Sequence, residues 1–240
     1  MTDPRFDSDL ATAIELGDDG ELTAALAAFD RLVGNYPNEM QARFERAMVL
    51  LNLDRDAEAI ADLEHVLEHD PDYPGARNWY AIAQRDQGNP MLAAETKLTE
   101  LLAHAPGDWS VSGQAWADCA RYFLDAGAPE RALAALAIYF ARYEGHQSGW
   151  EDYRPAPYRL QALTLLALNR PREALAAAER ACRDPHRVPA DTFVRIRALA
   201  AVGETDRAVG ELEQLRAEFQ TTQPFRDAVA DLRRLGLAIA

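Results

Sequence analysis

The sequence predicts an all-α protein, a solenoid of about six helix-turn-helix units closed by a C-terminal capping helix. Three observations carry this expectation. Six turn-tolerant residues, Gly20, Asp54, Gly88, Gly127, Asn169 and Gly203, recur at intervals of 34, 34, 39, 42 and 34. Each is followed five residues later by alanine, at Ala25, Ala59, Ala93, Ala132, Ala174 and Ala208. Seven residues before each turn stand Ala13, Ala47, Ala81, Ala120 and Ala162, until Ile196 breaks the run. Alanine fills 46 of the 240 positions. Six downstream coincidences would then arise by chance about once in twenty thousand frames, which makes the repeat real.

The units run over about 6–39, 40–73, 74–108, 113–146, 155–188 and 189–222, with the cap at 224–236. Before each turn the apolar residues follow a helical period. Phe44, Ala47, Met48 and Leu51 recur at i, i+3, i+4 and i+7, as do Trp116, Cys119, Ala120 and Phe123. After the turn the period resumes, as Ala59, Ile60, Leu63, Val66 and Leu67 in the second unit and Ala132, Leu133, Leu136, Tyr139 and Phe140 in the fourth. Gly, Asn and Asp accept the left-handed conformation that ends a helix. Two residues on, Pro90, Pro129 and Pro171 suit a first helical turn, where a missing N–H costs little. The alanines let facing helices approach closely. In the last segment Phe225, Ala228, Val229, Leu232 and Leu235 share one face, as a solenoid cap requires. No glycine- or serine-rich linker divides the chain, so one domain over 1–240 is expected.

On these residues the chain resembles the tetratricopeptide repeat family, which repeats 34 residues as two antiparallel helices with small residues at their contacts and a proline closing the second helix. Pro37, Pro71 and Pro106 match that proline, and Trp116 and Phe123 match the family's large first-helix aromatics. The resemblance covers about residues 6–220. Departures are Ile196 for a small residue, Lys97 on an otherwise apolar position, no closing proline in units four and six, and a one-residue slip suggested by Leu98 and Leu101. The resemblance implies a right-handed superhelix whose first helices line a concave face.

Composition narrows the function. The chain holds 39 acidic and 25 basic residues, net −14. Residues 1–106 hold 21 acidic and 8 basic, net −13, which leaves 18 and 17, net −1, for the rest. Such acidity argues against nucleic-acid binding, which needs a cationic surface. It suits a basic protein partner steered in by charge, or simply a soluble acidic surface. No apolar run approaches a membrane span, and the start of the chain is not a signal peptide. Cys119 and Cys182 read as reduced thiols of a cytoplasmic protein. Only Lys97 among the 25 basic residues is lysine, which with the alanine richness suggests a GC-rich bacterium.

No catalytic grouping, phosphate loop or cofactor motif is evident, so the expectation is a non-enzymatic protein-interaction module. His65-Val66-Leu67-Glu68-His69 matches the H-x-x-E-H pattern of one zinc peptidase class. Its place at the end of a second helix favours a simpler reading, histidines meeting the exposed carbonyls of a helix terminus. The predicted site therefore has no metal, and a zinc hydrolase stays a remote alternative.

The concave face implied by the resemblance collects Leu10, Ile14, Phe44, Met48, Leu51 and Ile82 in the first half. Arg85, Arg121, Arg159 and Arg197, with Leu163, follow from the third unit onward. Apolar pockets beside an arginine row suit an amphipathic or acidic segment. Filling of contacts between repeats is the competing reading. The resembled family's carboxylate-clamp subtype does not fit, because Leu10 and Ile14 stand where it needs polar residues. Trp150 and Tyr153, in an eight-residue insertion over 143–153, form a second candidate surface. The expected partner is a protein or peptide, and the alternative role is a dedicated inhibitor, immunity protein or secretion chaperone for a basic bacterial partner.

Overall fold

The computed structural model describes residues 3–105, 113–143, 155–184, 187–234 and 236. Among them are thirteen helices and no strand. The chain divides into two compact units, Met1–Glu100 and Leu101–Ala240. The first carries α1 (Pro4–Asp18), α2 (Leu22–Asn35), α3 (Met40–Asn52), α4 (Asp56–His69), α5 (Ala76–Asp86) and most of α6 (Pro90–Ala103). The second carries α7 (Gly113–Asp125), α8 (Pro129–Tyr143), α9 (Pro155–Ala167), α10 (Pro171–Arg183), α11 (Pro189–Ala201), α12 (Thr205–Phe219) and α13 (Gln223–Arg234).

The six turn residues all adopt the left-handed conformation, with φ of 79° at Gly20, 55° at Asp54, 84° at Gly88, 70° at Gly127, 54° at Asn169 and 90° at Gly203. Each turn closes with the same two backbone bonds. At the first, the Gly20 N–H donates to Gly17 O at 3.0 Å and the Glu21 N–H to Leu16 O at 2.9 Å. The pair recurs at every turn, down to Gly203 on Ala200 O at 3.1 Å and Glu204 on Leu199 O at 3.0 Å. This double closure satisfies carbonyls that a helix end would leave bare. Pro90, Pro129 and Pro171 each open a helix, and Pro37 and Pro71 lie two residues past the ends of α2 and α4. Pro106 lies outside the described residues.

The small residues do what their spacing implies. Ala13, Ala25, Ala47, Ala59, Ala81, Ala93, Ala120, Ala132, Ala162, Ala174 and Ala208 are all fully buried, and so is Ile196, which fills its position with a larger apolar group. Lys97 is buried too, with its ammonium donating to Asn78 and to Glu100 Oε2 at 3.2 Å. A charge on an apolar position is thus tolerated because two oxygens receive it.

In the first unit the core gathers Phe6, Phe29, Leu32, Leu63 and Val66, each at most 3 % exposed. In the second, α13 closes the chain. Phe225, Val229 and Leu232 pack with Phe193, Ile196, Leu199 and Leu212, and the Phe193 and Phe225 rings meet edge-on at 6.1 Å. Each large side chain buried this way contributes about 1.5–3 kcal/mol, so the cap stabilises a face the last repeat would otherwise expose. Cys119 and Cys182 are buried thiols.

Candidate partner-binding surfaces

In the first unit, α1, α3 and α5 supply Ile14, Phe44, Met48, Leu51 and Ile82, all half-buried. Ile14, Phe44, Met48 and Leu51 rest on the core beneath them. Leu10 belongs to that core at 6 % exposure and offers a partner almost nothing. Phe44 does not stand free either. Its ring meets Tyr73 with centroids 5.1 Å apart. Gly75, at φ 80°, brings the α4–α5 loop so close that a Cβ there would lie 3.6 Å from the Phe44 ring. Trp79 beside it is 38 % exposed, an aromatic that the helix pattern did not single out.

Glu45 is half-buried on α3, close enough to Asp18 and Tyr73 for their charges to interact. Burial first, and then the charge of Asp18, raises its carboxyl above the usual carboxylate range. Glu45 in turn helps raise the Tyr73 phenol, though burial of that ring is the larger cause. Among the described residues no cation pairs with Glu45.

The predicted arginine row is mostly committed elsewhere. Arg85 donates twice to its neighbour Asp86, at 2.8 and 2.6 Å. In the second unit Arg159 Nη1 donates to Oδ1 of Asp191 at 2.7 Å, and Asp191 is completely buried. The other oxygen of Asp191 accepts the Val188 N–H at 2.8 Å, at the N-terminus of α11. Arg197 pairs with Asp231 of the cap helix. Arg121 alone of the four is exposed and makes no ion pair with a described residue. These carboxylates lie 32 and 34 residues downstream of Arg159 and Arg197, too far for local spacing to reveal them.

Leu163 and Arg197 do come together. With Leu166, Ala200, Asp231 and Arg234 they line an open cleft of about 370 Å³. A second cleft of about 720 Å³ lies along the cap, where Arg216, Arg226, Arg233 and Arg234 surround Phe225 and Val229. Glu213, Gln223 and Asp231 accept hydrogen bonds from Arg216, Arg226 and Arg234 respectively, so much of that charge is answered within the chain. Trp150 and Tyr153 lie outside the described residues.

The histidine motif falls on the last turns of α4. His69 Nδ1 lies 2.9 Å from the carbonyl of His65, the contact expected at a helix end. The two rings also lie side by side, with centroids 4.2 Å apart, and one ligand-type atom from each of His65, Glu68 and His69 falls within 4.8 Å of the others.

Among the described residues no helix is long and apolar enough to cross a membrane. Comparison places the architecture among known proteins. The tetratricopeptide repeat family model matches residues 10–74 and 57–109. No curated protein matches the chain. Solved structures similar in fold include PilW, described as a widely conserved type IV pilus biogenesis factor. It is 16% identical over 95% of this chain and 100% of its own, with a TM-score of 0.68. Pseudomonas aeruginosa PilF is 13% identical over 94% of this chain and 97% of its own, with a TM-score of 0.64. YrrB, described as having an unusual peptide-binding site, is 14% identical over 85% of this chain and 98% of its own, with a TM-score of 0.58. Residues 10–109 thus match tetratricopeptide repeats, and the second half continues the same helix-pair fold, as in the solved structures it is similar to.

Proposed function

We propose that this protein is a non-enzymatic interaction module that holds a basic protein or peptide on the first-helix face of its N-terminal unit. Tetratricopeptide repeats generally mediate protein–protein contacts, and this chain uses its helices to build faces. The observation that carries the reading is Glu45. A half-buried carboxylate beside Asp18, with no ion-pair partner among the described residues, is a receptor for a partner's lysine or arginine. The net charge of −13 over residues 1–106 would steer such a partner in and make association salt-sensitive. Ile14, Met48, Leu51 and Ile82 supply apolar contact, and Phe44 supports them from beneath the loop. A partner of this chemistry suits a cytoplasmic bacterial inhibitor, immunity protein or secretion chaperone as well as a scaffold. Leu163 and Arg197, in the cleft of the second unit, would take a separate contact.

A photo-crosslinking residue placed at Met48 and at Ile82 in the native cell tests this, with Arg31 on α2 as control. The expected result is one shared crosslinked protein, rich in basic residues, from the first two positions only. Its capture should weaken when Glu45 is changed to Arg. A partner that crosslinks equally from Arg31, or survives Glu45→Arg and is lost with Trp150→Ala, would move the binding surface away from this face.

A further inference from the structure

We propose that His65, Glu68 and His69 form a binding site for a divalent late first-row transition metal, of which Zn²⁺ is the representative. The site is independent of the partner-binding reading and requires no turnover. The two imidazoles lie on one face of α4 at i and i+4, and Glu68 at i+3 from His65 adds a carboxylate. One ligand-type atom of each stands within 4.8 Å of the other two. In a tetrahedral zinc site, bonds of about 2.1 Å put ligand atoms roughly 3.4 Å apart. Glu68 and His69 are exposed and His65 is half-buried, so side-chain rotation closes that gap without moving the helix.

A further feature suits coordination. The contact of His69 Nδ1 with the His65 carbonyl, at 2.9 Å, holds the proton on Nδ1. That leaves the Nε2 lone pair outward on an oriented ring, the arrangement metal-bound histidines use. Arg43 is turned toward Asp62 at 3.5 Å, which tempers its repulsion of a cation.

The donor set selects the ion. Two imidazoles and one carboxylate suit Zn²⁺, Cu²⁺, Ni²⁺ and Co²⁺, whereas Ca²⁺ and Mg²⁺ need more oxygen ligands. Three protein ligands leave one position for water or for a donor from another molecule. The site closes α4 one residue before the loop that carries Tyr73 and Gly75 onto Phe44. A bound ion would tie down the last turn from which that loop departs.

The test is titration calorimetry of the full chain, freed of metal, with ZnCl₂ alone at pH 7.5. The expected result is a site of one Zn²⁺ per chain that weakens on acidification to pH 5.5, with no heat from MgCl₂ or CaCl₂. His65→Ala and His69→Ala should each weaken binding by at least about tenfold, and Glu68→Gln by less. The visible absorption of bound Co²⁺ should vanish in the same two histidine variants, whose helicity is checked by circular dichroism. Absence of zinc binding in the parent would overturn the proposal. So would undiminished binding in the doubly substituted His65→Ala, His69→Ala protein, which would place the ion elsewhere.

Discussion

Replacing Arg159 with alanine should unfold the second unit more readily, although the residue looks like a surface cation in the sequence. Asp191 has no solvent exposure, and its two oxygens take one hydrogen bond each, from Arg159 and from the Val188 N–H. Truncating Arg159 leaves a buried carboxylate with a single backbone donor. Removing one partner of a fully buried pair typically costs about 3–5 kcal/mol. The Arg159 side chain is 15% exposed, so water can reach part of the gap, and about 2–4 kcal/mol is the reasoned loss. For a unit of this size that corresponds to roughly 5–15 °C in melting temperature. Asp191→Asn keeps a side-chain acceptor for Val188 while removing the charge, and should cost less. Urea unfolding of Arg159→Ala, Asp191→Asn and the double variant gives the coupling, expected at about 1–3 kcal/mol. The reasoning fails if Arg159→Ala melts within a degree of the parent, or if the double variant loses the sum of the singles. A binding defect in Arg159→Ala would then have to be separated from this loss before it counted as a partner contact.

Other outcomes follow from the same geometry. Ala47→Leu and Ala120→Leu place three extra carbons at fully buried helix contacts and should each destabilise by about 1–3 kcal/mol, read from chemical denaturation. Gly88→Ala meets no atom within 4 Å, so its cost, about 1 kcal/mol, is the strain of φ +84° alone. Asp54→Gly, at φ 55°, should be neutral or stabilising in the same assay. Glu45→Gln should stabilise the first unit at neutral pH. The folded carboxyl has a raised pKa, so its charge is penalised above that value and the penalty disappears as pH falls below the unfolded value. Parent and variant stabilities should therefore converge on acidification through the carboxylate range, and a constant difference down to pH 3 would exclude a desolvated carboxylate.

What could be read in advance follows a physical line. The turns were legible because a left-handed φ admits few residue types, and the alanines because close helix approach admits few volumes. Both constraints are local and repeat. Helical period places Leu10 on the inward face but does not say what lies over it, and the core leaves Leu10 only 6% exposed. Arg159 and Arg197 read as a row because their spacing is regular, whereas Asp191 and Asp231 reach them from later helices. Glu45 carried no signal in an acidic chain, since only burial distinguishes it from its many solvated neighbours. The histidine spacing was visible, but the convergence with Glu68 depends on rotamers.

Arg46 has a consequence for how the molecule comes apart. From α3 its guanidinium grips Asp62 of α4 through two bonds of 2.7 Å and reaches back to Asp30 of α2 at 2.9 Å. Asp62 is 3% exposed, so parting α4 from α3 strands a charge in the interior, whereas parting α2 breaks only the bond to the exposed Asp30. Linear arrays ordinarily fray from their ends, one repeat at a time, because adjacent repeats share only an interface. Here a single side chain latches the two helices of the second repeat. Amide exchange in α3 and α4 should proceed through one common opening, and loss of Arg46 should split it into two.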